Sequence, residues 1–295
     1  MPPAPWRVSL HGGHSGEFCE HAAGSLRAVL EAAVAAGYHT FGVSEHAPRS
    51  QPRFLYETEI QKGFDIPRLQ RDFESYAAAL PALIDEFRDR LTVLFGFEAE
   101  IVPAASYRDE MPALRERYLF DFMVGSVHYA DEISLDGPPA QFQQASEARG
   151  GLEPLAVRYY ELVAEMAEAL RPDVVGHLDL IRRNAPPGAV LDSPAIRKAA
   201  DRALEAIRAA GAVLDLNTAG YRKGLGSPYP APWLVKRAHA MEIGFCFGDD
   251  SHGPADVGAG IDEARQYLLD NGVPTVTVLT RDAGAVVKRK VSLND

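Results

Sequence analysis

FCFGDDSH, residues 245–252, decides the fold: an apolar run of strand length stops in two carboxylates and an imidazole. The pattern recurs. WRVSLH (6–11) ends at His11, FGVSEH (41–46) at His46, LFGFE (94–98) at Glu98, FMVGSVH (122–128) at His128 and VVGH (174–177) at His177. Short apolar runs that alternate with long helical stretches predict βα units, and in a (β/α) barrel the chemistry comes from the C-terminal ends of several strands. Strands are expected near 6–11, 39–46, 91–98, 120–128, 173–177, 212–217 and 244–250, and a last run near 274–280 is also strand-like. SLRAVLEAAVAAG (25–37) and SPAIRKAADRALEAIRAAG (193–211) repeat their apolar residues at helical spacing and close on Gly, as outer helices should. Two connectors are long, 49–66 and 130–154, and read either as walls of a site or as plain surface loops.

Composition bounds the reading. A chain of 295 residues at 46% hydrophobic can build one large core, and the candidate site residues run from 11 to 252, so a single domain spanning 1–295 is expected. A net charge of −11 argues against nucleic acid as a partner. Two cysteines, Cys19 and Cys246, make no disulfide framework, and the N-terminal MPPAPWRVSL lacks the apolar core of a signal peptide. No apolar run is long enough for a bilayer, which takes about 18 to 20 residues, so no membrane partner and a cytoplasmic location are expected. The sequence says nothing of oligomeric state.

Seven imidazoles and two carboxylates at one end of a barrel form a ligand set for several metal ions, although any one buried His is more often a hydrogen-bonded core residue. Asp250 and His252 are two apart and face one side of an extended segment. His11 and His14, in HGGH, are three apart and would diverge on a regular strand; a bulge at Gly12 and Gly13 would return His14 to the cavity. Glu98 ends its apolar run, whereas Glu100 sits further out, so Glu98 is the expected bridging carboxylate. Asp249 points away, as a solvated or supporting acid. Cys19, in CEH, reads better as a small buried thiol than as a ligand. His39 at a strand start and His239 in a helical run fall outside the pattern.

Taken together, HGGH, CEH, SEH, GFEAE, GSVHY, GHLDL, NTAGYR and DDSH resemble the polymerase and histidinol phosphatase (PHP) superfamily, and within it the monofunctional histidinol-phosphate phosphatases. The resemblance covers residues from about 6 to 260. It implies a distorted (β/α)7 TIM-like barrel with a trinuclear centre of divalent transition-metal ions, Zn, Mn or Fe. By the family pattern the first ion takes His11, His14, Glu98 and Asp250, the second Glu98, His128 and His177, and the third His21, His46 and His252. The chain departs from the family's His-x-His by one residue in HGGH, and carries Glu45 where Asp is common. The implied activity is hydrolysis of L-histidinol phosphate, a step of histidine biosynthesis, with Glu98, Asp250 and His252 as the catalytic groups.

Three divalent ions against two carboxylates leave the cluster at about +4, which attracts a phosphate dianion despite the acidic chain. A metal-bridging hydroxide is then a nucleophile at neutral pH, in keeping with the lack of a Ser or Cys nucleophile motif. Arg222, Arg182 and Arg183 follow strand ends and could grip phosphate by charge-assisted forks, and Ser126 faces the same side as His128 from deeper in the barrel. The rival enzymes are a PHP phosphoesterase for a nucleotide or another small phosphate ester, and an amidohydrolase, which has no use for His21, His46 and His252. A non-catalytic PHP module is the non-enzymatic alternative.

Overall fold

The computed structural model of the chain describes residues 3–282 and 284–294. Four strands come first, β1 (Val8–Ser9), β2 (Thr40–His46), β3 (Thr92–Ala99) and β4 (Phe122–Gly125). A short antiparallel hairpin, β5 (Tyr129–Ala130) with β6 (Ile133–Ser134), precedes β7 (Val174–Val175), β8 (Val213–Asn217) and β9 (Phe245–Gly248). β1 to β4 and β7 to β9 are parallel and hydrogen-bonded in that order, and the Leu10 N–H donates to the Phe247 carbonyl at 2.8 Å across the remaining gap. The result is a nearly closed, seven-stranded parallel barrel wrapped by helices. β2 and β3 are buried along almost their whole length, as strands with a barrel interior on one face and helices on the other must be.

The sequence explains the local turns. Ser25 and Ser193 each cap a helix, accepting from the Ala28 and Ile196 N–H groups, and Gly211 ends the second helix with φ 73°. Inside the barrel the Phe122 ring needs two glycines. A Cβ on Gly96 would lie 2.3 Å from Phe122 Cε1 and one on Gly42 2.7 Å from its Cζ, so any larger residue would push the ring out of the core.

The run near 274–280 is a strand but not a barrel stave. β10 (Thr275–Asp282) pairs antiparallel with β11 (Ala285–Ser292) in a separate two-stranded sheet. Its burial fits this: over Thr275–Val278 only Val276 and Val278 are buried, and at its far end Arg281 and Asp282 are exposed, whereas β2 and β3 are buried on both faces.

Register sets the level of the site. His46 pairs with Glu98, and Glu98 with Val124, so the last residue of β2 and the carboxylate of β3 stand side by side at the C-terminal mouth. The long connectors both become walls there. Residues 52–54 form a 3-10 turn and Glu57–Gln61 a helix, and the second connector holds β6 and the helix Pro139–Ala148.

Candidate metal centre

The strand ends open on a cavity of about 900 Å³ whose lining includes His21, His46, Glu98, His128, His177, Asp250 and His252. His11 and His14 lie beneath, fully buried. All nine residues expected at the centre therefore converge. His11 Nε2 is 3.1 Å from Glu98 Oε1, His46 Nδ1 is 2.9 Å from Glu98 Oε2, and His177 Nε2 is 3.3 Å from Glu98 Oε1. His128 Nε2 is 3.1 Å from His177 Nε2 and 3.6 Å from Glu98 Oε1. Donors on a tetrahedral ion at 2.0–2.1 Å are about 3.4 Å apart, so these three atoms have the spacing of a shared shell.

β1 stops before HGGH, and the two glycines make a turn rather than a bulge within the ladder, with φ 138° at Gly12 and 79° at Gly13. The turn is tied on both sides: the Ser44 N–H donates to the Gly12 carbonyl at 2.9 Å, and the His14 N–H to the Ser251 carbonyl at 3.0 Å. His14 Nε2 consequently lies 4.0 Å from Asp250 Oδ1. Two site residues are themselves left-handed, His177 at φ 21° and Asp250 at φ 49°. Such conformations cost roughly 1–3 kcal/mol and persist where the surroundings enforce them. Here they turn two strand-end side chains inward.

A second layer orients the imidazoles. His11 Nδ1 is 2.7 Å from Asp215 Oδ2, His14 Nδ1 is 3.0 Å from Glu45 Oε1, and His128 Nδ1 is 2.7 Å from Glu100 Oε2. His252 Nδ1 is 3.0 Å from the Asp250 carbonyl oxygen. An Nδ1–H donated backward leaves the Nε2 lone pair forward, which is the tautomer a metal needs. Asn217 Nδ2 donates to Asp215 Oδ2 at 2.8 Å and to Asp250 Oδ2 at 3.3 Å, linking the two acids. Asp215 and Asn217 escape a sequence reading that weighs only strand-terminal acids and imidazoles; an Asp inside the apolar strand VLDLN is the available signal. Glu100 does sit further out than Glu98, but it reaches back to His128.

Asp249 points away from the cavity, yet it is not solvated. It is fully buried and accepts from the Tyr38 hydroxyl and the Gly258 N–H, both at 2.9 Å.

Electrostatics show what the cluster demands. Burial works to lower the His11 and His128 pKa values, but Glu98 with Asp215 holds the first well above its ordinary range, and Glu100 with Glu98 pushes the second up to about 10. Burial opposes ionisation of Glu98, which His11 and His128 nonetheless hold well below the usual carboxylate range. Burial and the neighbouring imidazoles push His21 down to about 3 and His252 to about 4, so both are neutral donors at pH 7. The Nε2 atoms of His11, His14 and His46 and both Glu98 oxygens are buried without a hydrogen-bond partner. Each such atom costs about 1–3 kcal/mol. Lone pairs aimed at one another need protons or cations between them, and the residues present suit divalent ions.

The expected substrate contacts divide. Arg222 and Arg183 line the cavity. Arg222 Nη2 donates to the Asp249 and Asp250 carbonyls at 2.7 and 2.9 Å, so it also clamps the backbone of a site residue. Arg182 does not reach the cavity. Its guanidinium is engaged by Ser227 Oγ at 2.7 Å, the Pro228 carbonyl at 3.1 Å and Asp179 at 3.3 Å, because the 3-10 turn Leu180–Arg182 directs it into the adjoining loop. Ser126 is enclosed under the floor, against Gly176, where a Cβ would lie 2.4 Å from its Oγ; it is too deep to meet substrate. Lys223, Arg53 and Tyr56 also line the cavity, and the sequence does not flag them because they come from its loops. His39 and His239 are exposed and remote, as expected.

The PHP domain profile matches residues 11–219, a span that holds His11, His14, His21, His46, Glu98, His128 and His177. The chain belongs to the PHP domain family. Among its PHP relatives, a Schizosaccharomyces pombe protein named probable histidinol-phosphatase is 30% identical over 98% of this chain and 95% of its own length. The Saccharomyces cerevisiae histidinol-phosphatase is 28% identical over 88% of each chain. The PHP barrel superposes on the crystal structure of a Lactococcus lactis histidinol phosphate phosphatase with a TM-score of 0.72, at 20% identity, covering 96% of this chain and 99% of that one. That structure is a complex with zinc, L-histidinol and phosphate. Among the described residues, no helix is long and apolar enough to cross a membrane.

Proposed function

We propose that this chain hydrolyses L-histidinol phosphate to L-histidinol and phosphate, using three divalent transition-metal ions. One observation carries the reading: the Nε2 atoms of His11 and His14, each with Nδ1 held from behind, face Glu98 and Asp250 as buried ligand atoms without hydrogen-bond partners. Full-length relatives named histidinol-phosphatase, and a fold neighbour holding L-histidinol and phosphate, support the substrate.

The first ion would be held by His11, His14, Glu98 and Asp250, the second by Glu98, His128 and His177, and the third by His21, His46 and His252. Divalent ions there would draw charge from the phosphoryl oxygens and make water acidic enough to lose a proton to solvent and attack phosphorus at neutral pH. The chain's own residues do the rest. Asp250 is held ionised, and its Oδ2 is fixed by Asn217, which would leave Oδ1, on the His14 side, to hold the first ion. Glu98 directs both oxygens at the imidazoles and supplies negative charge. Arg222, Arg183 and Lys223 line the cavity with positive charge to grip a phosphate monoester, and Asp136 and Glu132 line it too, with carboxylates suited to a cationic amine.

The test is a panel of phosphate monoesters offered to metal-loaded protein. L-histidinol phosphate should show the highest kcat/KM. A nucleotide or sugar phosphate exceeding it tenfold would move the reading to another PHP phosphoesterase.

A further inference from the structure

Cys19 stands outside the ligand sets given above, and its surroundings are those of a ligand. It lies on the same loop as His21, after the HGGH turn, and is only 7% exposed. Its Sγ is 3.4 Å from His21 Nδ1 and 3.6 Å from His21 Nε2. With His21, His46 and His252 it makes a group whose donor atoms all lie within 4.8 Å of one another. For tetrahedral zinc, with Zn–S about 2.3 Å and Zn–N about 2.05 Å, the S···N edge is about 3.5 Å. The three rings stand around a common point, with centroids 4.9 to 5.5 Å apart, and His46 Nε2 is buried with no hydrogen-bond partner. Packing alone explains a small residue at 19, but not a sulfur at ligand distance from the imidazole two residues on.

We propose that Cys19 is the fourth protein ligand of the third ion, completing a shell of one thiolate and three imidazoles, and that this shell selects zinc there over manganese. The inference rests on the metal-centre reading and sharpens it. As the sulfur–metal bond forms, the thiol proton passes to solvent and the thiolate supplies the electron pair. Thiolate and imidazole suit zinc, whereas manganese prefers oxygen donors, so the third position differs in kind from the carboxylate-bridged pair. Two ligands two residues apart also pin the loop that follows the HGGH turn to the ends of β2 and β9.

Zinc X-ray absorption on the full chain loaded with three equivalents tests this. The expected result is one sulfur scatterer at about 2.3 Å per three zinc ions, lost in Cys19→Ser and retained in Cys246→Ala, whose thiol lies in the barrel core. Cobalt-loaded protein should show sulfur-to-cobalt charge-transfer absorption in the near ultraviolet that disappears in the same variant. Three bound ions with no sulfur scatterer, a scatterer that survives Cys19→Ser, or binding of only two ions without sulfur would each overturn the proposal. Should Cys19→Ser not fold, the Cys246→Ala spectrum decides, since Cys19 is then the one cysteine in the chain. The readout is ligand identity, so a protein with the sulfur ligand but no turnover of L-histidinol phosphate would defeat the substrate reading and leave this one standing.

Discussion

Asp215→Asn is the change that most sharply isolates the orienting layer from the ligands. Asp215 is fully buried, and its Oδ2 sits 2.7 Å from His11 Nδ1, so the contact is a charge-assisted hydrogen bond worth about 1.5–3 kcal/mol. Asparagine keeps the shape and can still accept from Asn217, but its amide can turn an N–H toward His11 Nδ1. The imidazole would then carry its proton on Nε2 and lose the lone pair that faces Glu98. A lost partner of this kind lowers metal affinity about 10- to 100-fold, or roughly 1.4–2.7 kcal/mol. One effect opposes it: Asp215 also helps hold a proton on His11 in the metal-free chain, so its removal eases deprotonation. The net loss should therefore fall at the lower end, near tenfold, for the ion bound by His11. Zinc titration against a chelating competitor, with circular dichroism to verify folding, measures it. A folded Asp215→Asn protein whose zinc affinities all stay within twofold of wild type would refute the reasoning.

Four other outcomes are expected. Since Glu100 and Glu98 raise His128 to about 10 against its burial, the metal-free protein holds a proton there from pH 7 to 9 that a metal must displace; apparent zinc affinity should rise with pH across this window, and proton release on zinc addition should fall in Glu100→Gln. The sign also means that His128 stabilises the metal-free fold fully below pH 6.5 and progressively less as pH approaches 10, which urea titrations at several pH values would detect. Gly12→Ala should cost on the order of 1–3 kcal/mol of stability and weaken metal binding, because its Cβ would lie 2.5 Å from Asp249 Oδ1 and the position has φ 138°; an unchanged melting temperature would count against the turn as described. Arg222→Ala should lower both kcat and metal affinity, since it frees the Asp250 backbone, whereas Arg183→Ala should chiefly raise KM and Arg182→Ala should leave both kinetic constants unchanged in the folded protein.

Much of this is legible in the sequence because one rule, chemistry at strand ends, applies to six of the strands at once. His46, Glu98, His128, His177 and Asp250 each end an apolar run, and a parallel barrel leaves those ends nowhere to go but one mouth. The layer behind them is harder to see. Asp215 lies inside a strand and Glu100 after one, and only the packed barrel shows which imidazole each one faces. Arg182 and Arg183 are neighbours with opposite fates, decided by a 3-10 turn that sequence periodicity does not register. The helix Pro139–Ala148 reads as loop in the sequence because QFQQASEA offers it only Phe142 and Ala145 to bury. Lys223 and Tyr56 reach the cavity from loops, where no period exists to read.

The most direct test of the account is phosphate release from L-histidinol phosphate by one preparation in three states: as loaded with metal, after exhaustive chelation, and after zinc or manganese is restored. Release should be steady, fall at least a hundredfold on chelation and return on reloading, with the fold intact throughout. Folded, metal-loaded protein that releases no phosphate, or release that survives complete removal of metal, would contradict it.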